Sequence, residues 1–592
     1  MGKVKTSKYP PAESKKHLAD GFMQFFTNKV KRIHKELQEE QHKLTLRDTP
    51  SVSNRFPPPL QSFDNFSRKD IEEIIKSMPN KQCALDPIPT WVLKKMSAVL
   101  CPLITNIVNT SLESGQVPES LKSALVRPIL KDTNLDPEDY KSYRPVSNLP
   151  ILGKIIEKCV YRRLYDHITT NSLLDPNQSA YRKLHSTETA LVKIQNDILL
   201  ELDNGKMVAL VMLDVSAAFD TVNHQNLLSC FENVFGLSGI ALEWVKSYLD
   251  NRKQRIIIEN IQSEPVLMEC GFPQGAILAG LFYNMSTTPL GSVAKEQSVK
   301  HQGYADDNRW YIAFSVRNHD QAIRQLERSI NDAELWMTQN YLKVNNDKTE
   351  IIFFSPKKDP SFVKTLNITF QNIVVEPSLK VKNLGVIMDY TLNMESQVNK
   401  ITKSAYHQIK RISKIRHFLD INSTKTLVQS LVISRIDYCN ALLVNVPKRI
   451  TAKLQRVQNA AARLIFRRKR RCHITPVLKN LHWLPVLSRI KFKILLLTFK
   501  SLNGIAPSYL ETLLKPYVAS RSLRSNCMLK GTLITPRYKK RKHGSRAFSN
   551  AAPQLWNNLP VEIRNAKSIA SFKSQLKTLL YTEHFNRNIN NA

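Results

Sequence analysis

The stretch that most constrains the fold is GYADDNRWYIAF, residues 303–314, which has the pattern of a β-hairpin. A short strand leads into the adjacent carboxylates of Asp306 and Asp307, and a second strand rich in aromatic residues follows. An isolated Asp-Asp pair more often marks an exposed turn, because Asp is a favoured turn residue. The pair acquires a chemical role only if a third acid and a cation reach the same place.

A third acid ends the apolar run VALVMLDV, residues 208–215, which predicts a buried strand. This acid, Asp214, is either the N-cap of a following helix or a metal ligand at the rim of a sheet. If the strand lies beside the hairpin, Asp214 and Asp306 converge, and the clustered carboxylates then require divalent cations. Oxygen ligands suit Mg²⁺, and two such ions can activate a primer 3′-hydroxyl and stabilise leaving pyrophosphate.

The charge balance points to a polyanionic partner. The 592 residues include 86 Lys+Arg against 50 Asp+Glu, a net charge of +36, which favours nucleic acid or an acidic membrane surface. No apolar run reaches the roughly 18 residues of a membrane span, and no secretory signal is visible at the start. The eight cysteines are scattered without zinc-ligand spacing, which favours a reducing compartment. We therefore expect an intracellular protein, cytoplasmic with access to the nucleus and not secreted.

Hydrophobic spacing predicts the order of the remaining elements. An amphipathic helix is expected within residues 17–37, and a Pro/Ser-rich linker follows at 47–62. The run ALVRPILK predicts another buried strand, and residues 120–390 mix strands with helices. The chain is expected to be helical after residue 390. The apolar face of the first helix is formed by Leu18, Phe22, Phe25, Phe26, Val30 and Ile33.

Two amphipathic helices and two basic clusters are predicted in the C-terminal third. One helix has Ile450, Leu454, Val457, Ala461, Leu464 and Ile465 on one face, and the other has Phe572, Leu576, Leu579 and Leu580. The basic clusters are RRKRR at 467–471 and RYKKRKHGSR at 537–546. Such runs are usually solvated charged faces, so alone they do not establish a binding site.

Taken in order, LDVSAAFD, GFPQGAILAG and YADD resemble the palm motifs of reverse transcriptases, in particular those of non-LTR (LINE-type) retrotransposons, jockey-like and chicken-repeat-like. The flanking stretches LVRPILK, YKSYRPVSNLPILGKIIEK, QSAYRKLHSTETAL, LKVNNDKTEIIFF and VKNLGVIMD resemble the neighbouring motifs of this group in the same order. HWLP and RAFSNAAPQLWNNLPVEIR resemble its thumb and C-terminal region. The resemblance extends over roughly residues 15–585.

This resemblance implies a role for each matching residue. Asp214, Asp306 and Asp307 match the metal-binding acids, and Lys348 matches a basic residue thought to protonate pyrophosphate. Asp220 is not at a catalytic position of the family, and we expect it on the helix that follows. The positions that match nucleotide- and template-contacting residues are Lys131, Arg144, Arg182, Phe219, Gln274 and Gly275, with Phe219 as the steric gate against ribonucleotides. For nucleic-acid binding we single out Arg467, Arg468, Lys469, Arg470, Arg471, Lys539, Lys540, Arg541 and Lys542.

Other readings exist for several of these residues. Phe219 could be an ordinary core aromatic, and Lys131, Arg144 and Lys348 could be plain surface cations. Gly271 and Gly275 are expected where backbones approach closely, because the chain has only 16 glycines.

The sequence departs from the family pattern in LAG, where Gly-Pro is usual, in the following LFYNMSTTPL, and at two single positions of the nucleotide pocket. Ala276 stands where Ser is usual, and Leu184 stands where Gly is usual. The family's upstream endonuclease, with its Asn/Glu/Asp/His site, is not recognisable, and we expect it to be missing.

We therefore predict an α+β right-hand polymerase with fingers, a palm with an antiparallel sheet, a helical thumb and a basic helical C-terminal region. The expected divisions are 1–62, N-terminal helix and linker; 63–111, helical; 112–389, fingers and palm; 390–505, thumb; and 506–592, basic C-terminal region. The expected partners are an RNA template, a DNA primer and dNTPs, with Mg²⁺ as cofactor and Mn²⁺ as its substitute. The alternative is a decayed or co-opted product that binds RNA or DNA without polymerising. A membrane-surface protein is disfavoured, because no basic amphipathic helix with aromatic anchors is present.

Overall fold

The structure is a computed structural model that describes residues 9–43, 57–370, 373–517 and 531–586. The first eight residues, most of the predicted linker and Cys527 lie outside these ranges. The strands are β1 (Ser123–Leu130), β2 (Tyr143–Asn148), β3 (Met207–Leu213), β4 (Val215–Ser216), β5 (Lys253–Ile258), β6 (Ile261–Gln262), β7 (Val266–Leu267), β8 (Lys300–Tyr304), β9 (Asp307–Phe314), β10 (Lys343–Val344), β11 (Glu350–Phe354), β12 (Ile368–Phe370), β13 (Ile373–Val375), β14 (Lys380–Asn383) and β15 (Val386–Asp389).

Helices fill most of the remaining described chain. They are α1 (Lys15–Lys43), α2 (Arg68–Ser77), α3 (Thr90–Lys95), α4 (Ser97–Ser114), α5 (Ile151–Thr170), α6 (Thr187–Asp203), α7 (His224–Phe235), α8 (Gly239–Leu249), α9 (Ala279–Ser286), α10 (Leu290–Glu296), α11 (His319–Gln339), α12 (Ser361–Thr365), α13 (Glu395–Ile415), α14 (Ile421–Val428), α15 (Ser434–Asp437), α16 (Lys448–Ile465), α17 (Thr475–Asn480), α18 (Val486–Leu502), α19 (Ser508–Glu511), α20 (Phe548–Asn557), α21 (Val561–Arg564) and α22 (Ile569–Asn586).

The palm sheet is antiparallel, with the strand order β11-β3-β9-β8. Strand β3 lies between two partners and is covered on both faces, which explains its unbroken apolar sequence. Ala209 and Val211 belong to the main core, whereas Val208 and Leu210 belong to a second core shared with the C-terminal helices. The predicted buried strand and the predicted hairpin β8–β9 are both confirmed.

The fingers sheet has the order β2-β1-β5-β6, and β7 pairs with β5. Strand β1 is antiparallel to β2 and parallel to β5. Its residues Ala124, Leu125 and Val126 are buried, as the run ALVRPILK predicts.

The C-terminal helices share one core with the back of the palm sheet. The predicted apolar faces of α16 and α22 are confirmed: Ile450, Leu454, Phe572 and Leu576 are fully buried. The ranges 390–505 and 506–592 are joined within this core, where the ring of Phe499 on α18 stacks 4.2 Å from that of Phe572 on α22. Together with the two sheets, these helices give the α+β right-hand architecture that the sequence predicts.

Helix α1 spans from the fingers sheet to the palm. At its fingers end, the ring of Phe22 packs 4.7 Å from that of Tyr140. Towards its other end, His34 Nε2 lies 2.8 Å from the Thr221 carbonyl, and Gln41 donates to the Thr338 carbonyl at 2.7 Å. The helix therefore connects the fingers sheet with the turn before α7 and with α11.

The single apolar face predicted for α1 is divided between two environments. Leu18, Phe22 and Ile33 are buried, but Phe25, Phe26 and Val30 line an open cleft.

The described cysteines are all free thiols. None of the helices within the described ranges is long and apolar enough to cross a bilayer.

Candidate active site

A cleft of about 1600 Å³ is enclosed by α1, the fingers sheet and the end of the palm sheet. It brings together many of the residues singled out in the sequence. Its walls include Lys131, Arg144, Asp214, Gln274, Asp306 and Lys348. Asp307, Arg182, Phe219 and Gly275 are not among the lining residues.

The acids lie at the ends of paired strands. Leu213 of β3 is opposite Asn308 of β9, and Tyr304 is opposite Asp307 across the hairpin. Asp214 directly follows Leu213, so the antiparallel pairing carries it to the same end of the sheet as the Asp-Asp pair.

The hairpin turn is held by Gln178, which begins the stretch QSAYRKLHSTETAL and for which the sequence analysis predicts no individual role. Ala305 has a left-handed backbone, with φ of +56°. The Gln178 side chain accepts a hydrogen bond from the Ala305 N–H at 3.0 Å and donates to its carbonyl at 3.3 Å. This two-point contact fixes the turn that presents Asp306.

The three carboxylates influence one another electrostatically. Burial raises the pKa of Asp306 to about 6, and the negative charges of Asp307 and Asp214 add to this increase. Burial also raises the pKa of the Tyr283 phenol well above its usual value, and all three acids contribute. The three acids therefore lie close enough to influence one another's charge, and their role as a shared metal site stays a prediction.

Two of the acids are paired with cations. Lys348 Nζ lies 3.1 Å from Asp214 Oδ2, and Arg309 Nη2 lies 3.2 Å from Asp307 Oδ2. Asn345 Nδ2 also lies 3.4 Å from Asp214 Oδ2. Within the described ranges, no three His, Cys, Asp or Glu side chains are already arranged as a metal site. The donors are nevertheless the all-oxygen set that Mg²⁺ prefers, and the paired cations could be exchanged for a metal.

Positive side chains line the same cleft as the acids. Partial burial lowers the pKa of Lys131, and the nearby positive charges of Lys29, Lys348 and Arg144 lower it further. Lys131 Nζ also donates to the Lys141 carbonyl at 2.7 Å. Such a group of cations beside acids can bind a polyphosphate whose metal is held by the acids.

The Pro-Gln-Gly turn packs directly against β2. Gly275 has φ of +131°, and a Cβ added there would lie 2.6 Å from the Ser147 carbonyl oxygen. The Ser147 N–H in turn donates to the Gln274 carbonyl at 2.8 Å. At Gly271, with φ of +72°, an added Cβ would lie 2.6 Å from the Asp220 carbonyl oxygen. The predicted close backbone approach at both glycines is confirmed.

The expected position of Asp220 on the following helix is wrong. The residue lies in the turn before α7, which begins only after its N-cap Asn223. Ala217 has a left-handed backbone, with φ of +53°, and its carbonyl closes this turn by accepting a hydrogen bond from the Asp220 N–H at 2.7 Å. Both carboxylate oxygens of Asp220 accept hydrogen bonds from Gln274 Nε2, each at 2.9 Å. Burial raises the pKa of Asp220 to about 6. Asp220 therefore lines the cleft and orients Gln274.

Phe219 lies in an aromatic stack beside the acids. Its ring is stacked 4.7 Å from that of Tyr283 and meets the Tyr181 ring edge-on at 6.0 Å. The ring of Tyr181 in turn covers Gly280, where an added Cβ would lie 2.5 Å from it. This packing fixes Phe219 and leaves it partly exposed.

Arg182 does not reach the cleft. Its Nη1 donates to the carbonyls of Asp175 and Gln178, at 2.6 and 3.0 Å. These bonds hold the segment that carries Gln178, whose side chain fixes the hairpin turn. In this structure Arg182 therefore has a supporting position.

The two single-residue departures from the family pattern have distinct surroundings. Leu184 has φ of +69° and is half exposed, which explains why glycine is usual there. Ala276 packs partly buried against the main core.

The first basic cluster and residues 537–542 of the second are exposed, whereas residues 543–546 of the second are buried. All five residues of 467–471 are exposed in the turn after α16, where Arg467 donates to the Arg416 carbonyl at 3.1 Å. Lys539 and Lys540 are anchored by their backbone N–H groups to the Asp203 carboxylate, at 2.8 and 2.6 Å. The side chains of residues 539–542 are exposed.

Residues 129–388 match the family described as reverse transcriptase (RNA-dependent DNA polymerase). A probable RNA-directed DNA polymerase from transposon BS of Drosophila melanogaster is 28% identical over 371 residues, which are 61% of this chain and 39% of that protein. The RNA-directed DNA polymerase from mobile element jockey of Drosophila funebris is 23% identical over 425 residues, 70% of this chain and 45% of that protein. A probable RNA-directed DNA polymerase from transposon X-element of Drosophila melanogaster is 23% identical over 461 residues, which are 76% of this chain and 48% of that protein.

The chain spans less than half the length of these three relatives. A solved structure of apo telomerase from Candida Tropicalis, truncated from its C-terminal domain, aligns more distantly. Its TM-score is 0.33 at 12% identity, covering 52% of this chain and 60% of that one.

The matched family region contains the palm sheet and all three acids, and the relatives are encoded by mobile elements. Residues 129–388 therefore form a reverse transcriptase domain, and the chain is similar to the RNA-directed DNA polymerases of non-LTR retrotransposons.

Proposed function

We propose that this chain is an RNA-directed DNA polymerase that adds dNTPs to a primer 3′-end on an RNA template. The observation that carries the proposal is the placement of Asp214, directly after β3, and Asp306, in the β8–β9 turn, in one cleft that cationic side chains also line. A cleft lined by both carboxylates and cations matches a substrate whose triphosphate needs both metal ions and direct cationic contacts.

Asp214 and Asp306 would hold two Mg²⁺ ions, with Asp307 beside them and Mn²⁺ able to replace Mg²⁺. When bound, the metal supplies positive charge to the attacking and leaving oxygens of phosphoryl transfer. Burial, with a further contribution from the charges of Asp307 and Asp214, raises the pKa of Asp306, and a bound cation would offset this unfavourable placement of negative charge. Lys348 would leave Asp214 on metal binding and become free to donate a proton to pyrophosphate.

The cleft walls would position the other reactants. Lys131 and Arg144 would contact the triphosphate, and Gln274, oriented by Asp220, would meet the incoming nucleotide. Phe219, whose ring stacks against that of Tyr283, would act against a 2′-hydroxyl. We assign Arg182 a supporting position through Gln178. Catalysis then depends mainly on positioning and electrostatics.

The proposal is tested by dNTP incorporation on a primed homopolymer RNA with and without Mg²⁺. Asp306→Asn keeps the size of the side chain but removes its charge, so we expect no incorporation and unchanged thermal unfolding. Asp347→Asn is the matched control, because Asp347 is an exposed acid of the same cleft that lies outside the strand ends. A wild-type protein that binds primed RNA but does not extend it would refute polymerisation and favour the binding-only alternative. Equal activity of wild type and Asp306→Asn would refute the metal assignment.

A further inference from the structure

Helix α1 lies outside the matched region 129–388, yet it forms one wall of the cleft. It is anchored on both sides, by Phe22 against the fingers and by His34 and Gln41 against the palm. The residues between these anchors cannot turn away from the cleft without undocking the helix. Lys29 lies in this middle section and lines the cleft.

Lys29 is in an unfavourable place for an isolated cation. Burial lowers its pKa, and the charges of Lys348 and Arg32 lower it further, while Asp220 acts in the opposite direction. Among the described residues, no carboxylate lies within salt-bridge distance of Lys29 Nζ. A half-buried, unpaired cation beside other cations costs stability unless an anion is present during function.

The neighbours of Lys29 indicate which anion this is. Its charge affects Lys131, whose other cationic neighbours are Lys348 and Arg144. These cations come from four separate segments of the chain and surround one part of the cleft beside Asp214 and Asp306. An anion able to contact several of them must carry multiple negative charges in a short length, as a polyphosphate does.

We propose that Lys29 binds the polyphosphate of the incoming nucleotide together with Lys131 and Arg144, which makes the N-terminal helix part of the nucleotide site. The inference rests on the proposed polymerase function for the identity of the nucleotide. It extends the site to a residue that no reverse transcriptase motif of this chain contains. The competing explanation is structural, with Lys29 serving only as a distant counter-charge to Asp220.

The test compares Lys29→Gln with Lys29→Arg, which restores the charge, and with Lys43→Gln, which removes a lysine from the exposed end of the same helix. Loss of one charge-assisted contact should raise the KM for dNTP about 10- to 100-fold in Lys29→Gln. The KM for primed template should stay unchanged, and Lys29→Arg should recover most of the loss. Lys43→Gln should behave as wild type.

A second measurement does not depend on turnover. Equilibrium binding of inorganic tripolyphosphate should weaken by a similar factor in Lys29→Gln and be restored in Lys29→Arg. Unchanged tripolyphosphate binding and unchanged KM, with only a lower melting temperature, would overturn the inference in favour of the structural explanation.

If wild type does not extend primers, the proposed polymerase function fails, but the tripolyphosphate comparison still decides the role of Lys29. If Lys29→Gln fails to fold, Lys29→Arg decides: wild-type tripolyphosphate binding by this variant supports the inference, and a loss of binding by a folded Lys29→Arg opposes it.

Discussion

Gly275→Ala should disable the active site by pushing two backbones apart. The added methyl group would begin 2.6 Å from the Ser147 carbonyl oxygen, whereas ordinary contacts begin near 3.4 Å. The turn and β2 must therefore separate by roughly 0.5 to 1 Å, a displacement that can cost about 100-fold in rate when it moves a positioning group. The group moved is Gln274, whose carbonyl accepts the Ser147 N–H. The backbone strain at φ of +131° adds about 1–3 kcal/mol of destabilisation.

Primer extension and thermal unfolding should be measured on Gly275→Ala and on Gly504→Ala. Gly504 also has a positive φ, +64°, but an added Cβ there meets no heavy atom within 4 Å. The control therefore carries the left-handed strain of about 1–2 kcal/mol without a clash or a link to the cleft. We expect it to lose some stability and keep its activity. Wild-type extension by Gly275→Ala would refute the argument that this contact sets the position of Gln274.

Four further predictions concern separate features. Phe219→Val should open space for a 2′-hydroxyl, so ribonucleotide incorporation should rise relative to dNTP incorporation; unchanged discrimination would leave Phe219 as a core aromatic. Replacing residues 467–471 by glutamine should flatten the salt dependence of RNA binding by up to about 0.9 per lost phosphate contact, and coinciding lines for mutant and wild type would exclude the cluster from the nucleic-acid path. Because the Asp220 pKa is raised to about 6, its charge destabilises the fold above that pH and protonation removes the penalty as the pH falls. Asp220→Asn should thus raise the melting temperature at pH 8 but not at pH 4, by a free energy of at most about 3 kcal/mol. Leu184→Gly should relieve the strain of the left-handed backbone and leave stability equal or higher by about 1 kcal/mol; a clear loss would show that the Leu184 side chain makes a stabilising contact.

The centre of the site could be predicted because its determinants are local. An unbroken Val/Leu run fixes β3 as a doubly covered strand, and aromatic residues after the Asp-Asp pair fix β9. Once these strands pair, chain geometry alone brings Asp214 to the hairpin turn. The apolar faces of α16 and α22 follow from helical periodicity for the same reason.

The periphery of the site could not be predicted, because it depends on how distant segments dock. Periodicity shows that α1 has an apolar face but not what covers it, so the sequence does not predict that Lys29 lines the cleft. The signal available was the width of that face, since Phe25 and Phe26 extend it beyond what one buried stripe requires. Side-chain bonds to distant backbone, such as those of Gln178 to Ala305, leave no pattern in the sequence.

The order of strands in the palm sheet has a consequence for synthesis of the protein. Strand β3 is translated first, but its partners β9 and β11 begin only at Asp307 and Glu350. At about 5–20 residues per second, β3 therefore waits on the order of ten seconds with both edges unpaired. An apolar strand with two open edges invites pairing with another chain. We expect the nascent protein to be most prone to aggregation in this interval, and ribosome-bound chains that end before β11 to depend on chaperones.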